Sequence, residues 1–571
     1  MEIKRTILLV VFSMSLVVLW DNWQRYNGKP SMFAPPAASQ TAKDGKGKAA
    51  SAVAAASASA STAAVADAAN PAVVALKGER ITITTDLVKA EIDTLGGEVK
   101  HLELLKHKHD DERGLFEVLM QNLGIKAKDN LPEAKVELFT ENAKRTYLAQ
   151  TGLVGGNFPN HKSLFQARPG ARVLGDANQV QLVLDAEQGG VKLTKTFTFK
   201  RGDYSIDVRH DVSNAGAAAV TPSLYMQLLH DGTKPNGSMW TGSAEFYAPA
   251  VYTEADKFQK LDFEKIEKGT VNHAKSADNG WVAVLQHFFV SALIPQEKTQ
   301  REIFTKKVDT NIYAVGTVQP VGNVAPGATV TLNAKLYSGP QETNRLEAVA
   351  PGFELIKDYG ILTILAKPMF WLMDLLHKAL GNWGWTIVAF TIIIKLALFP
   401  LSAAGYRSMA KMKVVTPKMQ AIRERHKDEP QKMNQAMMEL YKTEKINPFG
   451  SCLPILIQMP IFLALYWVLQ ASVEMRGAPW MGWITDLSKP DPWLILPIIY
   501  AISMYITTKL NPAPADPMQA KMMMMMPLFF SVMFFFFPSG LVLYWVVNNV
   551  LSIAQQWVIN NKLIPPELRN T

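Results

Sequence analysis

Between positions 383 and 560 the chain contains five long apolar stretches, at about 383–404, 449–470, 493–510, 522–538 and 540–560, and none of them holds an Asp or Glu. A helical membrane span needs about 20 predominantly apolar residues. Such runs in close succession fit a bilayer better than any water-soluble core. A sixth run, 4–23, begins with Lys4 and Arg5 and continues TILLVVFSMSLVVLW, the plan of a signal peptide or signal anchor. Asp21, Asn22, Trp23 and Gln24 follow it instead of small residues, which points to an uncleaved anchor. Six transmembrane helices are therefore expected, five of them forming one core.

The 48% hydrophobic content of the 571 residues is concentrated at the two ends. Residues 24–75 are rich in Ala, Ser, Pro and Gly, bury too little apolar surface to order themselves, and are read as a tether. From 76 to 350 apolar and polar residues alternate. The segment VKLTKTFTFKRGDYSIDVRHDV places Val191, Leu193, Phe197 and Phe199 on one face, turns at Gly202 and Asp203, and returns with Tyr204, Ile206 and Val208. This region is expected to be one large antiparallel β-sandwich. Segment 351–382 has helical spacing of large apolar residues but too many charges to span, and suits an amphipathic helix lying on the bilayer surface.

Short-loop charge sets orientation. Segment 405–448 carries Arg407, Lys411, Lys413, Arg423 and Arg425 among its basic residues, whereas loop 471–492 holds only Arg476 and Lys489. The first loop is then cytoplasmic, as are loop 511–521 and the tail 561–571, and both termini lie inside. Loop 471–492 and the β-domain lie outside. Within 405–448 two amphipathic helices joined near Asp428–Pro430 form a basic hairpin.

One cation interrupts the apolar pattern. Lys395 sits in WTIVAFTIIIKLALFPLS with no acidic residue within ten positions. At bilayer centre a lysine costs about 2.5–3.5 kcal/mol on insertion scales. Thr391, Lys395 and Ser402 share a helix face, and Gln458, Asn548 and Ser552 offer similar groups on other spans. Two solutions exist: a water-filled cavity open to the cytoplasm around Lys395, or helix-to-helix hydrogen bonds in a closed bundle, which stays open for Asn548, Ser552 and Gln555.

The runs GNWGWTIVAFTIIIKLALFPLSAAGYRSMAKM, NPFGSCLPILIQMPIFLALYWVL and DPMQAKMMMMMPLFFSVMFFFFPSGLVLYWVVNN resemble the YidC/Oxa/Alb family of membrane protein insertases, in its Gram-negative form with a large periplasmic domain. The resemblance implies an inner-membrane protein whose β-domain is a periplasmic supersandwich, similar to that of aldose epimerases. It also implies a groove open to the cytoplasm and to lipid, with Lys395 where many members carry Arg and Thr391 beside it. An apolar substrate slide would run over Phe462, Tyr500, Met533 and Trp545, the last often Tyr in the family. Lys keeps the charge but lacks the planar donor fork of Arg. Expected partners are nascent inner-membrane proteins, the Sec translocon (SecYEG and SecDF), ribosome–nascent chain complexes at the hairpin, and the lipid bilayer.

Other function classes are weaker. The net charge of +9 is spread without an aromatic-interleaved stripe, so no DNA is expected as a partner. The one cysteine, Cys452, allows no Cys-based metal site. His101, His107 and His109 fit a solvated loop better than a metal site. His210, His230 and Asp231 form no paired acid–base motif, so neither enzyme activity nor a cofactor is expected. A small-solute transporter or channel is the alternative; the lack of membrane carboxylates weighs against ion coupling.

Overall fold

The structure, a computed structural model, describes residues 77–109, 115–125, 134–142, 145–233, 247–357, 359, 362–426, 429–444, 453–510, 525 and 531–559. The expected anchor (4–23), tether (24–75), loop 511–521, residues 522–524 and 526–530 of the 522–538 span, and the tail 561–571 lie outside the described residues.

Alternating apolar residues build two antiparallel sheets. In the ten-stranded sheet the central order runs Glu98–Lys108, Thr146–Val154, Ser223–Asp231, Ile312–Pro320. The nine-stranded sheet runs through Trp281–Leu285, Phe289–Pro295, Thr329–Pro340, Ser205–Asn214 and Val191–Lys200. The expected hairpin is present: Phe199 pairs with Ile206 and Leu193 with Val212, across a turn where Gly202 takes φ 72°. Because the side-chain period is two, Leu193, Phe197, Phe199, Ile206 and Val208 all enter one core. Lys195 on the same face crosses to the other sheet and donates to the carbonyls of Gly96 (2.6 Å) and Thr151 (2.7 Å). Its buried ammonium is thus satisfied by backbone, as burial requires.

Three short or irregular helices accompany the sheets: α1 (Leu115–Asn122), α2 (Phe263–Glu267) and α3 (Thr343–Val349). After a 3₁₀ turn at Phe353–Ile356 the helical part follows: α4 (Thr363–Leu380), α5 (Trp383–Ala397), α6 (Phe399–Arg425), α7 (Pro430–Thr443), α8 (Leu453–Ala471), α9 (Ile495–Leu510) and α10 (Ser539–Val558). Their apolar faces form a second core around Ile387, Phe390, Leu465, Val468, Tyr500 and Leu543. Helix α4 exposes Ile364, Trp371 and Leu375 while burying Ala366, Phe370 and Met373. It therefore has an apolar face turned away from the protein.

The expected continuous span 383–404 is broken. Helix α5 stops at Ala397, and α6 starts at Phe399 with Pro400 in its first turn. Proline lacks the N–H and its ring collides with the carbonyl four residues back, so the helix cannot run straight. The pair Trp383–Ala397 and Phe399–Met409 bends by 64° and could cross a membrane as a pair by length and composition; among the described residues no single helix is long and apolar enough to do so. Helix α6 thereby runs on from the bend into the basic segment, and α6 and α7 meet as two helices joined by an ion pair between Lys418 and Glu444, which follows α7 (2.6 Å).

The β-domain is held to the helices by side chains of the segment after α8. Lys357 Nζ donates to Glu474 Oε1 (2.8 Å) and to Thr343 Oγ1 (2.8 Å), and its ammonium lies 4.5 Å from the Phe370 ring centre. The Lys357 side chain is 2% exposed, and burial pushes its pKa down against the pull of Glu474. Arg476 donates to the Lys108 carbonyl (2.7 Å) and stacks over Phe288 and Phe289 at 5.5 and 5.4 Å. Removing one partner of a buried pair costs about 3–5 kcal/mol, because the other charge is left uncompensated. Glu474→Ala is therefore expected to raise amide hydrogen exchange across residues 341–357 in the detergent-solubilised protein. The double change Lys357→Met with Glu474→Leu should restore protection; unchanged exchange in the single variant would show that this pair does not hold the domain.

Candidate functional site

Helix α5 begins with a fixed cap. Asn382 Oδ1 accepts from the Trp385 N–H (3.1 Å), and its amide nitrogen donates to the carbonyls of Pro479 and Trp480 (both 3.1 Å). This is an N-cap that also ties the helix end to the 471–492 loop. At Gly384 a Cβ would stand 2.1 Å from Trp480, so only glycine permits that approach. The start of α5 is thus pinned, and the helix carries Thr391 and Lys395 down toward the bend at Leu398.

The structure brings most of the sequence-derived polar residues together. A cleft is lined by Thr391, Lys395, Leu398, Ser402, Gln458, Tyr544 and Asn548, with Ile394, Leu401 and Ile461. Lys395 donates to Ser552 Oγ (2.7 Å), and Ser552 donates in turn to the Asn548 carbonyl (2.7 Å). Gln458 donates to Asn548 Oδ1 (2.6 Å), linking α8 to α10 across the cleft. The Thr391 hydroxyl bonds back to the Ile387 carbonyl (2.7 Å). Gln555 donates to the Lys395 carbonyl (3.1 Å), where the coming bend leaves backbone acceptors free. Among the described residues no carboxylate pairs with Lys395. One neutral hydroxyl is a weak substitute for a counter-ion.

The cleft is closed on the Trp383 side. Ile387, Phe390, Leu541, Val542 and Leu543 are each no more than 1% exposed there. Toward the bend, Leu398, Leu401 and Ser402 are partly exposed. It is a recess closed toward Trp383 and more exposed toward the bend, with Thr391, Lys395, Gln458 and Asn548 along its wall.

Side chains of α10 make hydrogen bonds to other helices on two of its faces. Asn548 and Ser552 serve the cleft, although Asn548 also bonds across helices. Asn549 donates to Ser503 (3.2 Å) and Gln556 to the Leu510 carbonyl (3.3 Å), which ties α10 to α9 away from the cleft.

Beside the cleft lies an aromatic cluster. Trp545 stands 4.7 Å from Phe462, 6.2 Å from Tyr500 and 5.9 Å from Phe534 between ring centres. Three of the four expected slide residues therefore meet; Met533 is partly buried next to Phe534 in the chain, at the end of a helical turn. Phe534 carries no signal of its own in the sequence, since it sits in a run of four Phe with no period to distinguish them. Among the described residues the buried Trp545 indole nitrogen has no hydrogen-bond partner. Of the basic residues, Arg407, Lys411 and Arg425 are exposed on α6 and Arg423 is partly so; the Lys413 side chain lies outside the described residues.

The β-domain candidates for chemistry are packing residues. His210 is fully buried with Nε2 2.9 Å from Thr151 Oγ1, and His230 packs between Tyr147 and Phe263. Burial pushes their pKa values down to about 3 and about 4, so both rings stay neutral at physiological pH. Asp231 accepts backbone N–H bonds from Thr146 and Thr233. His107 abuts Tyr204 and Phe289.

Comparison with known proteins gives the family of the chain. The family model of the 60 kDa inner membrane protein matches residues 375–566, and that of the YidC periplasmic domain matches residues 80–372. The membrane protein insertase YidC of Herminiimonas arsenicoxydans is 60% identical over 584 aligned residues, covering 99% of each chain. Its counterpart from Janthinobacterium sp. (strain Marseille) is 59% identical over 582, again covering 99% of each. A crystal structure described as an active YidC insertase with the first transmembrane domain resolved is 20% identical, covers 84% of this chain and 92% of its own, and superposes with a TM-score of 0.38.

Removing the Ser552 hydroxyl takes away the acceptor that Lys395 uses. Hydrogen bonds to charged groups are worth about 1.5–3 kcal/mol, so Ser552→Ala should lower unfolding stability in bicelles by that order. Adding Lys395→Met should recover most of the loss. Full stability in Ser552→Ala alone would mean that water, not Ser552, solvates the ammonium.

Proposed function

We infer, from the premise that this chain belongs to the YidC family of membrane protein insertases, that its cleft is the place where a substrate's polar tail begins to cross. The chain is a membrane protein insertase, and its own residues suggest the route an inserting segment takes. The observation that carries this reading is Lys395: a buried ammonium without a carboxylate among the described residues, in the wall of a recess lined by Thr391, Gln458 and Asn548 and buttressed by Ser552.

An inserting protein presents two physical problems. Its polar tail must cross an apolar layer, and its apolar segment must leave for lipid. A recess open toward the cytoplasm shortens the dry path, and the fixed charge offsets the desolvation of acidic groups in the tail. The apolar segment slides along Phe462, Tyr500, Phe534 and Trp545 and exits sideways, driven by its own transfer free energy. These rings keep contact area while tolerating different side chains, since aromatic faces pack in several geometries. Neither bond cleavage nor a nucleotide is required by this route.

In the same reading all five core segments and the anchor cross the inner membrane, with both termini cytoplasmic and the β-domain periplasmic. Helices α6 and α7 extend into the cytoplasm, and Arg407, Lys411, Lys413, Arg423 and Arg425 meet ribosomal RNA or anionic headgroups. The insertase works on nascent chains either alone or beside the Sec translocon, SecYEG with SecDF. Helix α4 lies at the outer bilayer surface, with Ile364, Trp371 and Leu375 toward lipid.

The test is insertion of a single-span substrate into sealed proteoliposomes, scored by protease protection, with its short tail either acidic or neutral. Lys395→Gln should slow the acidic-tail substrate about tenfold, the equivalent of about 1.4 kcal/mol, and the neutral-tail substrate much less. Lys395→Arg should retain activity, since charge and not fork geometry is used. Equal activity of Lys395→Gln on both tails would remove the charge from the mechanism.

A further inference from the structure

Helix α1 departs from the pattern of a water-facing helix. Its polar residue Gln121 is only 5% exposed, whereas Met120, Leu123 and Ile125 are 40%, 54% and 64% exposed. A helix in water does the reverse. The end of the helix concentrates these apolar groups. The Ile125 N–H bonds to the Met120 carbonyl (2.9 Å) and the Gly124 N–H to the Gln121 carbonyl (3.1 Å), with Gly124 at φ 72°. This is the Schellman arrangement, in which the residue after the glycine folds back toward the last turn. It sets Ile125 beside Met120 and makes one outward patch from three side chains.

The position of α1 says what the patch faces. Ahead of α1 in the chain the strand Glu98–Lys108 ends, and there Arg476, which follows shortly after α8, grips the Lys108 carbonyl (2.7 Å). At the other end of α1, Asn122 Nδ2 lies 3.5 Å from the Pro492 carbonyl, three residues before α9 begins at Ile495. Both ties are to the segment joining α8 to α9. Trp493 beside the second tie is 40% exposed, as an aromatic anchor at a headgroup layer is. The patch thus stands level with the outer ends of two apolar helices, turned away from the protein.

We propose that α1 is a membrane foot of the β-domain, with Met120, Leu123 and Ile125 inserted at the headgroup–acyl boundary of the outer leaflet. The proposal rests on the reading that α9 crosses the bilayer. Together with α4, which follows the domain in the chain, it gives the β-domain two lipid contacts. The domain is then held at a set tilt over the helical part, and not only tethered through Lys357 and Arg476.

The test uses the full chain in nanodiscs with one copy per disc, in a Cys452→Ser background. Single cysteines from Leu123→Cys, Ile125→Cys, Ala218→Cys and Ile502→Cys carry an environment-sensitive fluorophore. Ala218 is the distant control: Ser205 pairs with Tyr337 near the junction to the helices and Ser213 with Thr329 at the other end of the same strands, so the loop holding Ala218 is remote from lipid. Ile502, 56% exposed on α9, tests the span itself. The expected result is loss of fluorescence at 123, 125 and 502 when the lipid is phosphatidylcholine brominated on its acyl chains, with 218 unchanged. Quenching at 502 but at neither 123 nor 125 overturns the proposal and leaves the insertase reading intact. Absence of quenching at 502 overturns the span reading and the proposal with it.

Discussion

A buried ammonium without a carboxylate among the described residues is the constraint on which the helical part depends. Lys395 sits in a helix whose neighbours are Ile, Leu, Phe and Ala, and it costs several kcal/mol in hydrocarbon unless something polar surrounds it. The surroundings are assembled from three helices: Ser552 and Asn548 from α10, Gln458 from α8, and Thr391 from α5 itself. The bend at Leu398 completes the recess, because a straight helix would carry Leu401 and Ser402 elsewhere. A single structural element, Pro400 in the first turn of α6, therefore shapes the opening of the cleft and directs the basic helix away from the apolar helices.

Closure on the opposite side matters as much. Above Thr391 the helices are packed with Ile387, Phe390 and Leu541–Leu543, and the start of α5 is sealed by the Asn382 cap and the loop it holds. On the proposed route, a tail drawn to Lys395 would meet this packed apolar layer and not a pore. The aromatic cluster around Trp545 lies beside the cleft, which is why the proposed route takes the apolar segment out sideways. The same loop that caps α5 through Pro479 and Trp480 also grips the β-domain through Glu474 and Arg476. Domain attachment and the anchoring of the α5 N-terminus thus use one segment of the chain.

Much of this is legible in the sequence, for identifiable reasons. Membrane segments announce polar residues by contrast, so Lys395, Thr391, Gln458, Asn548 and Ser552 stand out against apolar neighbours, and the cleft is lined or buttressed by them. Strand alternation exposes the hairpin from Val191 to Val212 for the same reason, since period two is easily seen when one face is buried. What is not legible depends on three-dimensional packing. Phe534 is indistinguishable from Phe535 and Phe536 until Trp545 approaches it. The separate duties of Asn548 and Asn549 follow from a rotation of about 100° between adjacent residues on one helix, which sequence alone does not orient. The break at Leu398 has a signal, Pro400, but apolar length outweighs it in the expectation of one span at 383–404. The outward patch on α1 has a weak period over one short helix, and only the contacts of Asn122 and Arg476 give it meaning.

The most direct test of a half-depth recess open to the cytoplasm is thiol accessibility in intact membranes. Single cysteines from Ser402→Cys, within the recess, and Ile387→Cys, above it, are introduced into the Cys452→Ser background and exposed to a membrane-impermeant maleimide in right-side-out and inverted vesicles. The predicted result is labelling of position 402 from the cytoplasmic face alone and of position 387 from neither face. Labelling of 387 from the periplasmic face, or failure of 402 to react from the cytoplasmic face, would contradict a recess of this kind.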